Sequence, residues 1–406
     1  MDSSITAAAQ ALALGGALSA LKRVALRDDP PALAMRGIAF AQLGDLERAK
    51  DLLKRGADAF GSRNPTAQAR CIVAEAEIAL VSRDLGWPVE KLDRARAVLA
   101  LRGDRVNAAY ADCLVARRLL LIGRLEQAGQ VLSRIDHALL PPAALAGYEL
   151  AAAGIAIRRI HTEAARLSIA RARKAAGEAG IALLAAEVDA VGRILEQPAA
   201  RLIRRGGNRI LLLDDVEALL SSDDFILDCC RSMVRSGGRA IGLGSRPVLL
   251  ALLRSLSESW PEEVSRDQLV KHAFHAREAD ESHRARLRVE MGRLRVALDG
   301  LAEVKATKHG FKLMVRAQVD VVLLLPPVEL RHAEILALLA DGEAWSSSAV
   351  ALALKVSPRS IQRAFEELAA GGHVQPRGRG PARRWMMPPI PGFPTTLLLP
   401  GALPGE

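Results

Sequence analysis

The stretch Gly44-Asp45-Leu46-Glu47-Arg48-Ala49 returns as Gly123-Arg124-Leu125-Glu126-Gln127-Ala128, 79 residues later. That spacing leaves room for one more copy and a period of about 40. Degenerate units do occupy residues 82–95 and 160–170. Each copy falls where one Ala- and Leu-rich helical pattern gives way to the next. Glycine lets the inter-helix turn close, and alanine lets two helices approach. Residues 1–203 therefore predict helix pairs broken by short Gly, Pro and Asp punctuation. Composition points the same way. Half of the residues are hydrophobic but only 3% are aromatic. Cores must then be filled by Ala, Leu and Val, which favours closely packed helices.

The chain has 406 residues, enough for two to four domains at about 100–200 residues each. No apolar run approaches the roughly 18 residues of a membrane span. In residues 1–21 the acid Asp2 comes first, and Lys22 and Arg23 follow the apolar stretch. That order is wrong for a secretory signal and predicts an amphipathic first helix. Cys71, Cys113, Cys229 and Cys230 form no metal or redox spacing, which predicts reduced thiols in a cytoplasmic protein.

The net charge is +10. Residues 1–200 hold 27 Lys and Arg against 22 Asp and Glu, whereas 284–316 hold 9 against 3 and 355–385 hold 7 against 2. Two short basic patches late in the chain are the footprint of a nucleic-acid partner.

Residues 34–53, with Gly37, Phe40, Gly44 and Ala49, resemble a tetratricopeptide-type repeat, though the period exceeds the usual ~34. The resemblance covers about half the chain and implies an α-solenoid that takes a peptide or protein partner.

The pattern changes near residue 207. Short apolar or β-branched runs at 210–213, 225–234 and 240–243 predict a small antiparallel sheet. Helical patterns follow at 245–257, 265–274 and 282–299. Runs at 304–307 and 311–315 flank the turn Lys308-His309-Gly310 as a hairpin. Leu243-Gly244-Ser245-Arg246 with Leu249, Leu252 and Leu253, Val264-Ser265-Arg266-Asp267-Gln268-Leu269, Arg293-Leu294-Arg295 with Leu298, and Val304, Thr307 and Gly310-Phe311-Lys312-Leu313 resemble the PhoB/OmpR-type winged-helix DNA-binding domain, over 204–318. That family usually carries an N-terminal receiver domain, and here a helical array holds its place. On the helix 282–299, Leu287, Met291, Leu294 and Leu298 form one stripe, which predicts the core face. Ala285, Val289, Gly292 and Val296 lie opposite. Arg288 flanks that face on one side, and Arg286 and Arg293 on the other. A slim ridge with arginine edges suits a major groove. Arg284, Arg286, Arg288, Val289 and Arg293, with Lys308 and His309 on the hairpin, are the candidate DNA contacts.

After Pro326-Pro327, helical patterns at 329–340, 346–354 and 358–370 precede runs at 373–375 and 384–386. Ser357 is a good N-cap and Pro358 suits the first helical position. Residues 328–387 resemble the winged helix-turn-helix of the MarR and GntR kind. The resemblance makes Arg359, Ser360, Gln362 and Arg363 candidate base and backbone contacts. Arg377 and Arg379, in Pro376-Arg377-Gly378-Arg379-Gly380-Pro381, then touch phosphate or enter a minor groove. Residues 388–406 hold six prolines and predict a disordered tail.

Leu211-Leu212-Leu213-Asp214-Asp215 mimics a Walker B strand, but the chain contains no Gly-x4-Gly-Lys-Ser/Thr loop. It is expected to be a strand end followed by helix-capping acids. His272, His275 and His283 cluster in sequence, with His275 and His283 expected on a loop without carboxylate or thiol partners, and Cys229-Cys230 is expected to straddle a strand. No metal, cofactor or catalytic pair is called for. The expectation is a mainly α chain, an N-terminal α-solenoid followed by two small α+β winged-helix domains. Its expected function is transcription regulation on double-stranded DNA, without enzymatic activity. A homodimer is a further partner that half-site readers imply. The alternative is a scaffold whose winged helices hold other proteins.

Overall fold

The structure, a computed structural model, describes residues 2–387 apart from 14, 83, 85, 206, 275–279, 317–318, 328–331, 340–344, 355, 371, 379 and 381–382. The chain is mainly helical and divides into two units, Met1–Ile194 and Leu195–Met386. The tail 388–406 lies outside the described residues.

The first unit is a run of helices: α1 (Ser3–Ala13), α2 (Ala17–Val24), α3 (Pro30–Gln42), α4 (Leu46–Phe60), α5 (Pro65–Val81), α6 (Val89–Leu101), α7 (Arg105–Leu121), α8 (Leu125–Leu132), α9 (Pro142–Arg159), α10 (Thr162–Ala179) and α11 (Ala182–Ile194). The single amphipathic N-terminal helix expected from the sequence is two helices, because Gly15, at φ +75°, turns the chain between α1 and α2. The recurring motif is a helix stop followed by a helix start. Gly44, at φ +85°, ends α3, and the Asp45 side chain accepts from Arg48 N at 3.3 Å to begin α4. Gly123, at φ +77°, does the same after α7. Arg124 then stands where Asp45 stood, and it makes no side-chain cap. The turn between α9 and α10 is made instead by Ile160, a rare left-handed isoleucine at φ +58°.

Every helix packs on its chain neighbours. The odd-numbered helices also pack on each other in order: α1 on α3, α3 on α5, α5 on α7, α7 on α9 and α9 on α11. Small residues permit this. A Cβ added at Gly37 in α3 would fall 2.7 Å from Leu53 Cγ in α4, so only glycine allows that approach.

The second unit opens with β1 (Ala200–Arg204), β2 (Gly207–Leu211), α12 (Leu213–Leu220), β3 (Phe225–Asp228), β4 (Met233–Ser236) and β5 (Arg239–Gly242). Helices α13 (Pro247–Glu258), α14 (Arg266–Phe274) and α15 (Glu281–Ala297) follow, with the short strand β6 (Val264–Ser265) before α14. Strands β7 (Glu303–Ala306), β8 (Gly310–Met314) and β9 (Val321–Leu325) come next. The main sheet runs β2-β1-β9-β3-β4-β5, and β6-β8-β7 form a second one. The expected small antiparallel sheet is thus mixed and larger. It gains two strands that were not expected, β1 and β9; β9 runs parallel to β3 with Leu323 opposite Leu227 and antiparallel to β1 with Leu324 opposite Leu202. All five β9 residues are buried, which explains a continuous apolar run without alternation. The sheet therefore reaches beyond 204–318 at both ends. Leu211 ends β2, and Asp215 accepts from Leu212 N at 3.0 Å at the start of α12, as expected of capping acids. Cys229 and Cys230 lie in the turn after β3 rather than on a strand, because the strand ends at Asp228. Burial pushes the Cys229 thiol up to about 11.

The last elements are α16 (Ala333–Leu339), α17 (Ser347–Leu354), α18 (Pro358–Ala370), β10 (Gln375–Arg377) and β11 (Arg384–Met386). Among the described residues no helix is long and apolar enough to cross a membrane.

One polar contact is sealed inside the first unit. Glu77 of α5 and Arg117 of α7 are both buried, with Arg117 Nη1 donating to Glu77 Oε1 at 3.2 Å. Tyr110 is buried as well. Its burial, with the Glu77 charge nearby, holds the phenol well above its ordinary pKa. Removing one member of a buried ion pair strands the other's charge, whereas replacing both with apolar residues removes the desolvation problem. Glu77→Ala or Arg117→Ala alone is expected to destabilise the first unit by about 3–5 kcal/mol. Glu77→Leu combined with Arg117→Met should unfold close to wild type. Urea denaturation followed by circular dichroism on all three variants checks the order.

Candidate nucleic-acid interface

Helix α15 begins at Asp280, whose carboxylate accepts from His283 N at 2.7 Å. That backbone hydrogen bond holds the Asp280 carboxyl below its ordinary pKa. The expected stripe Leu287, Met291, Leu294 and Leu298 is buried in the core that also holds Leu252, Leu256, Leu269 and Phe311. Burying that stripe fixes the helix rotation, so Val289 and Val296 emerge on the opposite face.

The four candidate arginines of α15 are exposed, and each has a neighbour. Arg284 pairs with Asp267 at 3.4 Å, Arg288 with Glu281 at 2.8 Å and Arg293 with Glu290 at 2.8 Å. The Arg286 guanidinium lies over the Phe274 ring, 4.6 Å from its centroid, and His283 stacks on the same ring at 6.2 Å. Exposed pairs of this kind contribute little, about 0–1 kcal/mol. Beside the helix, Arg293, Gly292 and Val296 share a groove of about 650 Å³ with Ser245, Arg246 and Pro247 at the start of α13.

Lys308 and His309 are exposed in the turn between β7 and β8, as the sequence placed them. What holds that turn was not legible. Arg266, the first residue of α14, donates from Nη1 to Lys308 O at 2.9 Å and from Nη2 to Thr307 O at 3.0 Å. Arg295 of α15 donates from Nε to Val304 O at 2.7 Å. The start of α14 is a reciprocal cap: Gln268 N donates to Ser265 Oγ at 3.2 Å, and Ser265 N donates to Gln268 Oε1 at 3.2 Å. Arg266 N also donates to His309 O at 3.3 Å, so Arg266 is anchored at both backbone and side chain, and it ties the hairpin to the helices.

On α18, Arg359, Ser360, Gln362 and Arg363 are exposed while Ile361, Phe365 and Leu368 are buried, as expected. Ser360 N donates to Ser357 Oγ at 3.1 Å, so Ser357 is the cap. Arg377 is exposed on β10, and Arg379 lies outside the described residues. Two tryptophans that the sequence reading passed over pin this hairpin. Phe365 stacks on Trp385 at 4.8 Å, Trp385 pairs with Trp345 through the backbone, and Trp385 Nε1 donates to Ser347 Oγ at 3.2 Å.

His272 and His283 stand apart in their contacts. His272 Nδ1 lies 3.0 Å from Ser255 Oγ on α13. His283, expected on a loop without a carboxylate partner, lies instead in the first turn of α15 with Nδ1 2.7 Å from Asp280 Oδ1. His275 lies outside the described residues. No family model, curated protein or solved structure matches the chain, so function is read from this geometry.

Gly310 is the tightest point of the hairpin. A Cβ there would sit 1.8 Å from Val264 O, across the β6–β8 pairing. Gly310→Ala is expected to separate β6 from β8 and to cost on the order of 3 kcal/mol or more. Amide hydrogen exchange should show lost protection at Phe311 and at the Thr307–Gly310 contact, while helices α3 to α9 keep theirs.

Proposed function

We propose that this protein is a duplex-DNA-binding transcription regulator. Its first unit acts as a tetratricopeptide-like solenoid for a peptide or protein partner. Its second unit carries two winged-helix readers, one built on α15 with the β7–β8 hairpin and one on α18 with the β10–β11 hairpin. The observation that carries the reading is α15. A helix locked by four buried residues presents exposed valines between three exposed arginines, next to a hairpin that arginines hold in place. Arginine and lysine supply sequence-independent affinity through phosphates, and the groove-facing ridge supplies selectivity. The solenoid reading is supported by the ordered contacts among odd-numbered helices, which are those of stacked helix pairs. On this reading the chain performs no covalent chemistry.

The link between the readers is short. Seven residues, 326–332, separate β9 from α16, a reach of at most about 25 Å. One turn of DNA is about 34–36 Å. Both readers then contact neighbouring segments of one site.

Each lost phosphate contact should flatten the dependence of log affinity on log salt by about 0.9. Arg286→Ala, Arg288→Ala and Arg293→Ala together should reduce the slope by up to about 2.7, measured by fluorescence anisotropy over a salt series. An unchanged slope would remove α15 from the interface. Arg359→Ala with Arg363→Ala should shorten the nuclease footprint on one side only. A footprint of unchanged length and affinity would make the C-terminal module a protein-binding element and favour the scaffold reading.

A further inference from the structure

We infer that the second unit holds a site for a small aromatic anion, a planar ring carrying one carboxylate or phosphate group, in the cleft between Trp260 and the end of β8. The cleft uses no residue of α15, so the site stands or falls apart from the DNA assignment.

The cleft encloses about 470 Å³, within the ~300–1,000 Å³ of small-molecule sites. Its walls come from both sheets. Trp260 stands shortly before β6 and Lys312 lies on β8, whereas Arg204 ends β1 and Asp320 immediately precedes β9. Trp260 is one of four tryptophans in a chain of 406 residues, so a tryptophan in a cleft is not a product of composition. It is half-buried, and part of the indole stays uncovered where it lines the cleft. An indole left in that state offers a large apolar surface that a planar ring can cover.

The charges of the cleft decide what the ring must carry. Arg204 is already answered: its Nε donates to Asp320 Oδ2 at 2.8 Å, and its Nη2 lies 3.8 Å from Asp224 Oδ2. Lys312 is half-buried and meets no carboxylate among the described residues. Its register partner across the hairpin is Lys305, and like charges directly opposite each other destabilise a strand pair. Glu303 relieves Lys305 at 3.7 Å, which leaves Lys312 as the uncompensated member. Arg316 donates to Gly300 O at 3.4 Å and likewise faces no carboxylate among the described residues. Two cations without counter-charges, beside an uncovered indole, fit an anion joined to a ring. A neutral ring would leave the cations uncompensated, and a bare anion would leave the indole wet. Hydrogen bonds from the cations to the anion are charge-assisted and therefore the stronger kind.

Isotopic labelling at tryptophan gives one indole N–H signal for each of the four residues, and Trp260→Phe identifies the signal of Trp260. Para-hydroxybenzoate and adenosine monophosphate, a carboxylate and a phosphate, are titrated separately into the full chain. At least one is expected to shift the Trp260 signal to saturation while the signals of Trp87, Trp345 and Trp385 stay in place, and the one that does so tells carboxylate from phosphate. Inorganic phosphate, a charge without a ring, and para-hydroxybenzamide, a ring without a charge, should each bind at least about tenfold more weakly. Lys312→Gln should weaken the bound acid by at least about tenfold. Lys312 lies on the strand face opposite the buried Phe311 and Leu313, so this variant keeps its fold. Lys271→Gln, exposed on α14 and outside the cleft, should leave affinity unchanged. No shift of the Trp260 signal with either acid, a shift that inorganic phosphate reproduces at the same concentration, or an affinity that Lys312→Gln leaves intact would overturn the inference.

Discussion

Strand β9 is the constraint on which the second unit depends. It lies between β1 and β3, hydrogen-bonded on both edges, and all of its side chains are buried. It also comes after α13, α14, α15 and the β7–β8 hairpin in the chain. The three helices and the hairpin therefore form an excursion that leaves the sheet at β5 and must return to its centre. Closure is reinforced at the entrance to β9, where Arg204 Nε donates to Asp320 Oδ2 at 2.8 Å and Phe225 N donates to Asp320 O at 2.9 Å. Val321 and Leu323 share one hydrophobic core with Leu287, Met291 and Leu294 of α15. The strand that closes the sheet is also part of the floor on which the candidate recognition helix rests. Rotation of α15 is fixed by packing, and the outward position of its valines follows.

The first unit is organised by local contacts instead. Its helices touch chain neighbours and the next odd-numbered helix, so each unit is held by the ones on either side. Side chains reach along the same direction. Gln42 Nε2 donates to Leu12 O at 3.0 Å, Arg70 Nε donates to Asp104 Oδ2 at 2.6 Å, and Arg159 Nη2 pairs with Glu126 at 2.8 Å. Each joins one helix pair to the next. The buried Glu77–Arg117 pair joins α5 to α7 in the middle of the row. Such a pair adds little net stability, but it penalises any register in which the two charges fail to meet.

What the sequence made legible was whatever is decided within one or two turns of chain. The Gly44 and Gly123 turns, the Ser357 cap, the buried stripe of α15 and the exposure of Lys308 and His309 all rest on local backbone chemistry or on helical periodicity. What it hid was pairing at long range. The run Val321–Leu325 reads as apolar in either a helix or a strand, and nothing near it in sequence names β1 and β3 as partners. Arg266 looks like an ordinary first-turn residue, although its guanidinium reaches carbonyls 41 and 42 positions later. Trp345 and Trp385 are 40 apart and meet only because β11 folds back over α18. Ile160 breaks the glycine rule at its turn. Its side chain is buried, so packing outweighs the strain of a left-handed residue, and a reading keyed to glycine sees only a degenerate repeat.

On the proposed DNA-binding reading, the ion pairs of α15 bear on how affinity and selectivity divide. Arg284, Arg288 and Arg293 each face a carboxylate, and a phosphate arriving there replaces one exposed anion by another. Exchange between two anions at the surface changes the direct Coulomb energy little, because each pair is worth about 0–1 kcal/mol in water. On the proposed reading, the net gain comes from the counterions that a duplex would release, a gain that does not depend on base sequence. The arginines would then supply affinity without choosing the site, and choice would fall to groups that lose water only on the right base edge.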